Sequence, residues 1–318
     1  MDGLAENLLS QWLRSEDDPD IWEISTRVGY LERRLFDDYE PSQYWRFKER
    51  LDGWLANVDE DHLQKTLYKL VGCLFFVGRQ EFESLCRAAY HGPITRWLID
   101  EIGLQFTDSA GSKKLSEAAG RTWFCPVTDS MRINAFLKVT NLEGQRHRPD
   151  WRSLARFGDP ARIVDFINRE GIKRLALLED FVGTGRQMRT AVSYACELIP
   201  EFPVLVCPLL ICSEGLKVGR DLVKKYKNLT FEPVLSVPAE DFITYEPQQT
   251  DTPLYHAVRE LISQVAGRLT VKSGEGTHGF EGTGALVVLY SNCPNNTLPI
   301  IHDKTPSWRP LFPRIRRK

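Results

Sequence analysis

Along the first hundred residues, apolar side chains recur every three or four positions. Trp22, Ile24, Val28 and Leu31 form one such series and Leu63, Leu67, Leu70 and Val71 another, with charged residues on the remaining faces. Phe82–Leu98 continues the pattern and is broken at Gly92-Pro93. This spacing predicts helical hairpins packed on one another or against the next domain. Trp22, Tyr30, Phe36, Tyr44, Trp45 and Trp54 read as core or interface aromatics of those helices. The polar stretch Thr107-Asp108-Ser109-Ala110-Gly111-Ser112 reads as a linker or loop. The expected organisation is a helical domain at 1–106, a linker at 107–119 and an α/β domain at 120–318.

The pattern then changes. Trp123-Phe124-Cys125-Pro126-Val127 is a short apolar run, and Thr128-Asp129-Ser130 after it can cap a helix through Phe136-Leu137. Asn141–Asp150, with Arg146-His147-Arg148, is polar and reads as a surface loop. Asp159, Pro160 and Gly171 are placed as N-cap, first turn and terminator of a helix that turns Ile163, Val164 and Ile167 inward. Arg174–Leu178 is an apolar run of strand length, as expected where both faces of a sheet are covered. Met188, Ala191, Val192, Ala195, Leu198 and Ile199 come next, on one helical stripe. Pro203–Ile211 predicts a second strand, Ser213–Lys225 a helix, Leu229–Val237 a third strand, and Ala285–Tyr290 one more near the end. Strands alternating with helices predict an α/β fold with a mainly parallel sheet.

Composition narrows the function classes. In 318 residues, 42% hydrophobic content supports a sizeable core, and a net charge of -2 gives no general pull toward polyanions. The basic tail Arg314, Arg316, Arg317 and Lys318 reads as a solvated terminus, so there is no strong nucleic-acid signal. Seven cysteines without CxxC spacing argue against a disulfide framework or a thiolate zinc site and read as buried, reduced thiols. His62, His91, His147, His256 and His302 have no metal-ligand spacing. The acidic start lacks a signal peptide's features, and the apolar runs are shorter than the roughly 20 residues that span a bilayer. The expectation is a cytoplasmic protein without membrane contact.

Chemistry concentrates at Leu178-Glu179-Asp180-Phe181-Val182-Gly183-Thr184-Gly185-Arg186-Gln187. In an open α/β sheet, ligands bind beyond the carboxyl ends of strands, where this segment is placed. Carboxylates accept hydrogen bonds from vicinal hydroxyls such as those of a ribose. Gly183 and Gly185 let the backbone approach an anion, Thr184 adds a hydroxyl, and a helix starting near Arg186 presents free N–H groups. A P-loop would need Lys-Ser or Lys-Thr after the last glycine, and that is missing. A Rossmann fingerprint is weakened by Met188 at its third glycine position and by acids that come first. A plain strand-to-helix turn with two solvated acids and a Thr cap stays open. Outside this segment, Asp129 and Ser130 are candidates for the neighbourhood of a pyrophosphate, or simply an N-cap. Asn295, Asn296 and Thr297 are substrate candidates, or a capped turn, and His278 sits in a glycine-rich loop able to serve as a lid.

The order of apolar strand, two acids, three residues and Thr-Gly resembles the phosphoribosyl-pyrophosphate (PRPP) signature of type I phosphoribosyltransferases. Gln187 departs from it, standing where those enzymes usually place Thr or Ser. The wording Leu178–Gly185 is similar to a narrower family, the phosphoribosyltransferase-like PRTase-CE group of bacterial conflict and antiviral-defence systems. So is the ending, Asn292-Cys293-Pro294-Asn295-Asn296-Thr297-Leu298-Pro299-Ile300 with Trp308–Arg314. The resemblance covers roughly Gly120 to the C-terminus. It implies a type I phosphoribosyltransferase-like fold and glycosyl transfer from PRPP with Mg2+ and loss of pyrophosphate. In that reading Glu179 and Asp180 act on the ribose, and Phe181, Val182, Gly183, Thr184, Gly185, Arg186 and Gln187 form the phosphate loop. The alternatives are a catalytically silent nucleotide sensor and a scaffold whose helical part docks a partner defence protein.

Overall fold

The computed structural model describes residues 3–15, 18–42, 44–105, 107–142, 159–269 and 275–315. The polar loop read at Asn141–Asp150 lies outside them from 143 onward. Two compact units form, Met1–Arg79 with Glu240–Lys318, and Gln80–Ala239.

The chain enters the first unit through helices α1 (Leu4–Trp12), α2 (Asp20–Arg34), α3 (Phe47–Leu55) and α4 (Asp61–Val71), then strand β1 (Phe75–Val77). From Arg79 it builds the second unit: α5 (Arg79–Ala89), α6 (Thr95–Glu101), α7 (Gly111–Gly120), β2 (Thr122–Pro126), α8 (Ile133–Val139), α9 (Pro160–Glu170), β3 (Arg174–Val182), α10 (Arg186–Leu198), β4 (Val204–Cys212), α11 (Ser213–Lys225), β5 (Leu229–Phe231) and β6 (Leu235–Val237). It returns to the first through α12 (Pro253–Val265), β7 (Glu275–Gly276), β8 (Gly279–Phe280), β9 (Val287–Leu289) and α13 (Pro299–His302). Helix α7 occupies much of the 107–119 segment that the polar pattern marks as a linker.

In the first unit the N-terminal helices share a core with the end of the chain. Phe36, Phe47, Phe76 and Phe312 pack as a ring cluster, with the Arg50 guanidinium 5.0 Å over Phe312. The indoles of Trp54 and Trp308 both donate to the Ile300 carbonyl. β1 pairs with β9 in parallel. Of the aromatics read as core or interface, Phe36 and Trp54 are buried, while Trp22, Tyr30, Tyr44 and Trp45 are exposed.

The second unit is the α/β body. Its strands run in the order β2-β3-β4-β5, all parallel, and β6 pairs with the far half of β4. Helix α9 begins and ends as the sequence predicts: Asp159 accepts from the Ala161 amide, Pro160 opens it, and Gly171 closes it at φ 66°. Its inward stripe is Ile163, Phe166 and Ile167, with Val164 only half-buried. The predicted single strand over Leu229–Val237 is split. The register has the same offset on both sides, Val204↔Leu229 and Leu210↔Leu235, which sets Pro208 opposite Pro233. Pro208 has no N–H to give back, so the pairing is interrupted there, although the Glu232 and Val234 amides still donate to the Val206 and Pro208 carbonyls at 3.0 and 2.9 Å. β3 also runs farther than the apolar run suggests, carrying Glu179 and Asp180 inside the strand.

Among the described residues no helix is long and apolar enough to cross a membrane. All seven cysteines are free thiols.

The turn after β3 is wedged between helices. Gly185 has φ 79°, and a Cβ there would lie 3.0 Å from Val218 Cβ. A Cβ on Gly215, in α11, would lie 2.8 Å from Val182 Cγ1 and 2.9 Å from the Gly183 carbonyl oxygen. Gly215→Ala is therefore expected to lose about 1–3 kcal/mol through overpacking. Gly267→Ala, where nothing lies within 4 Å, is the matched control. Denaturant unfolding of the two variants checks this, and equal midpoints would refute the wedge.

Candidate functional site

The site is built at the carboxyl ends of β2 and β3. The Val127 amide donates to the Leu178 carbonyl at 2.8 Å, carrying the β2–β3 pairing one residue beyond β2. The chain then turns through Thr128, Asp129 and Ser130, directly beside the acid pair. The Thr128 amide donates to Glu179 Oε2 at 2.8 Å, and its hydroxyl to Glu179 Oε1 at 2.5 Å. The Ser130 hydroxyl lies 2.9 Å from Glu179 Oε1 and 2.7 Å from Asp180 Oδ1, and 2.8 Å from the Thr128 hydroxyl. Asp180 Oδ1 also accepts from the Phe181 amide at 2.8 Å.

The acids are thus not solvated at a loop tip: Glu179 is 4% and Asp180 5% exposed. Burial, then the neighbouring Asp180 charge, pushes the Glu179 carboxyl up to about 8. Among the described residues no Lys or Arg pairs with Glu179. Donor accounting then places the proton. A backbone N–H needs an acceptor, so Glu179 Oε2 is bare and Oε1 carries the hydrogen. Ser130 has one hydrogen for two acidic neighbours. Glu179 Oε1–H can then donate to Ser130 Oγ directly, or to the Thr128 hydroxyl that in turn donates to Ser130, and in both circuits Ser130 donates to Asp180. Glu179 is the neutral member of the pair.

Ser130 therefore does not cap α8, whose N-cap is Arg132. Asp129 is half-buried beside the circuit. Thr128 is the participant that sequence reasoning names only as part of a capping run. Its signal was a hydroxyl two residues past an apolar strand, adjacent in the sheet to the one bearing the acids.

Past Val182 the chain makes the turn Gly183–Gly185 and enters α10 at Arg186. Phe181, Val182, Gly183 and Gly185 are buried, Thr184 is half-buried, and Arg186 and Gln187 are exposed. Among the described residues no group accepts from the amides of Gly183, Thr184 or Gly185, and the Thr184 hydroxyl has no partner. A tight turn with unclaimed N–H groups, a hydroxyl and a 13-residue helix behind it has the chemistry of an anion cradle.

The remaining candidates lie in the other unit and are committed there. The Asn296 side-chain amide donates to Thr283 Oγ1 at 2.9 Å, and Thr297 Oγ1 donates to the Val287 carbonyl. Asn295 is half-buried and its carbonyl accepts from the Phe280 amide. His278 is 5% exposed, and its carbonyl accepts from the Gly284 amide at 2.6 Å, which pins the loop read as a lid. Among the described residues no three His, Cys, Asp or Glu side chains gather in a way that could hold a metal.

The protonated state of Glu179 has a stability consequence. The folded form binds the proton more tightly than the unfolded chain does, so this contribution is full below the ordinary value of 4.5 and is lost as pH rises through about 8. Glu179→Gln mimics the neutral acid: its carbonyl oxygen serves the Thr128 amide and its NH2 faces the two hydroxyls. The variant's melting temperature is expected to fall less than the wild type's between pH 5 and pH 8. Thermal unfolding across that range checks this, and parallel pH profiles would show that Glu179 is ionised in the fold.

Comparison with known proteins gives one match. The PRTase-CE family model matches residues 51–314, taking in strands and helices of both units. No curated protein and no solved structure matches the chain. A model that spans well over half of the sequence, and both the acid pair and the turn after it, assigns the family: the chain belongs to the phosphoribosyltransferase-like PRTase-CE family.

Proposed function

We propose that the second unit binds PRPP or a related ribose 5-phosphate compound at the carboxyl end of β3. In this reading the 5-phosphate lies on the amides of Gly183, Thr184 and Gly185 and on the Thr184 hydroxyl. The observation that carries it is the pairing of a buried acid pair with a turn whose amides have no described acceptor, entering directly into α10. Ribose hydroxyls are assigned chiefly to Asp180, because both Glu179 oxygens are already engaged by Thr128 and Ser130. Asp180 also favours positive charge developing at the sugar in a glycosyl transfer that releases pyrophosphate.

A donor set of one neutral acid and one carboxylate fits Mg2+ delivered by pyrophosphate oxygens and waters. It does not fit an all-protein cage. Asp180 would hold such an ion, whose contribution is to neutralise the leaving pyrophosphate. A role in bacterial antiviral defence, with a protein partner, is the setting the family resemblance supplies.

A second reading, a nucleotide sensor that binds without turnover, is favoured by the hydrogen-bonded state of Glu179 and by Gln187 in place of a hydroxyl residue. Calorimetry with PRPP, with and without Mg2+, tests the shared part. Thr184→Ala is expected to weaken binding about tenfold, as for one hydrogen bond to a charged group, and Asp180→Asn at least as much. Equal affinity in all three proteins would remove the site. Pyrophosphate release in the presence of nucleobases separates the enzyme from the sensor.

A further inference from the structure

Glu179 and Asp180 leave almost no surface for a sugar's hydroxyls to approach. The groups that do reach their oxygens are half-buried and belong to the β2–α8 loop. Ser130 Oγ lies 2.7 Å from Asp180 Oδ1 and 2.9 Å from Glu179 Oε1, and Thr128 Oγ1 lies 2.5 Å from Glu179 Oε1. The two hydroxyls are 2.8 Å apart, a hydrogen-bonding spacing that the cis hydroxyls of a furanose ring also adopt.

The two halves of the site therefore stand in different states. The amides of Gly183, Thr184 and Gly185 have no acceptor among the described residues, whereas the acid pair is already met by hydroxyls of the chain itself. Buried carboxyls without partners are costly, so these hydroxyls stabilise the unliganded fold. The same hydroxyls stand against a sugar. A ribose hydroxyl can take the place between the two acids only by displacing Ser130 Oγ. That displacement needs little: Oγ hangs on a single χ1 torsion and α8 begins only at Ile133, so a rotamer change frees the place without unpairing β2 from β3.

Resting on the reading of this site as one for a ribose phosphate, we propose that Ser130, with Thr128 behind it, is a built-in stand-in for the sugar's diol, which keeps the acid pair occupied until the sugar displaces it. The affinity for a ribose phosphate is then scaled down to the fraction of molecules in which Ser130 has swung away. A serine that instead stays on the acids and positions them for the sugar would act in the opposite direction, since its loss would weaken binding.

Calorimetry on the full chain with ribose 5-phosphate and 2-deoxyribose 5-phosphate tests this. Ser130→Ala removes the stand-in and is expected to bind ribose 5-phosphate about fivefold more tightly than wild type, as for one hydrogen bond no longer given up. The deoxy sugar, which keeps the phosphate but lacks the diol, should gain clearly less. Weaker or unchanged binding of ribose 5-phosphate by Ser130→Ala, or an equal gain for both sugars, would overturn the proposal. Thr184→Ala separates that failure from failure of the site itself. If Thr184→Ala weakens ribose 5-phosphate, the phosphate reading stands whatever Ser130→Ala does; if it binds as wild type does, the site and the stand-in both fall. Should Ser130→Ala not fold, Ser130→Cys keeps the shape with a weak donor and is expected to tighten binding in the same way; unchanged or weaker binding in that variant would equally overturn the proposal.

Discussion

Two carboxyl groups on consecutive residues, both nearly out of solvent, cannot both be ionised cheaply, because each charge loses its hydration and repels the other. At Glu179-Asp180 the fold resolves this with hydroxyls in place of a cation on Glu179. The Thr128 amide fixes which Glu179 oxygen is bare, and Ser130 bridges the neutral acid to Asp180. The β2–α8 loop is therefore tied to the end of β3 by its hydrogen bonds to the acid pair. This is why Thr128 and Ser130 are absent from the start of α8.

The turn itself is under a second constraint, which is steric. Gly185 and Gly215 bring the backbones on either side of α10 and α11 so close that a methyl group on either would meet the opposite chain. A Gly-Thr-Gly string after a strand is thus explained in part by helix packing alone. Packing does not explain why the N–H groups across that turn lack acceptors among the described residues. The case for an anion rests on that accounting and on the helix dipole behind it, more than on the presence of glycine.

Elements with strong local grammar were legible in the sequence. Asp159-Pro160 and Gly171 bracket α9 where capping chemistry puts them, and β4 and α10 lie within a residue or so of their patterns. Legibility failed where tertiary pairing decides. The split of β5 from β6 depends on Pro208 in the neighbouring strand, which a local window around Leu229–Val237 does not contain. The extension of β3 through its acids depends on partners supplied by β2. The same holds for Ser130: its bond to Asp180 spans 50 positions of sequence, so a local reading could only offer it as a cap.

The family resemblance drew on two strings, and the structure gives them different physical standing. The string at 178–185 holds a buried acid pair and a turn whose amides have no acceptor among the described residues. The string at 292–300 is explained by packing: Thr297 closes on Val287, Asn296 on Thr283, and Ile300 receives two indole N–H groups. Membership in the family therefore speaks for the fold through both strings and for chemistry through the first alone.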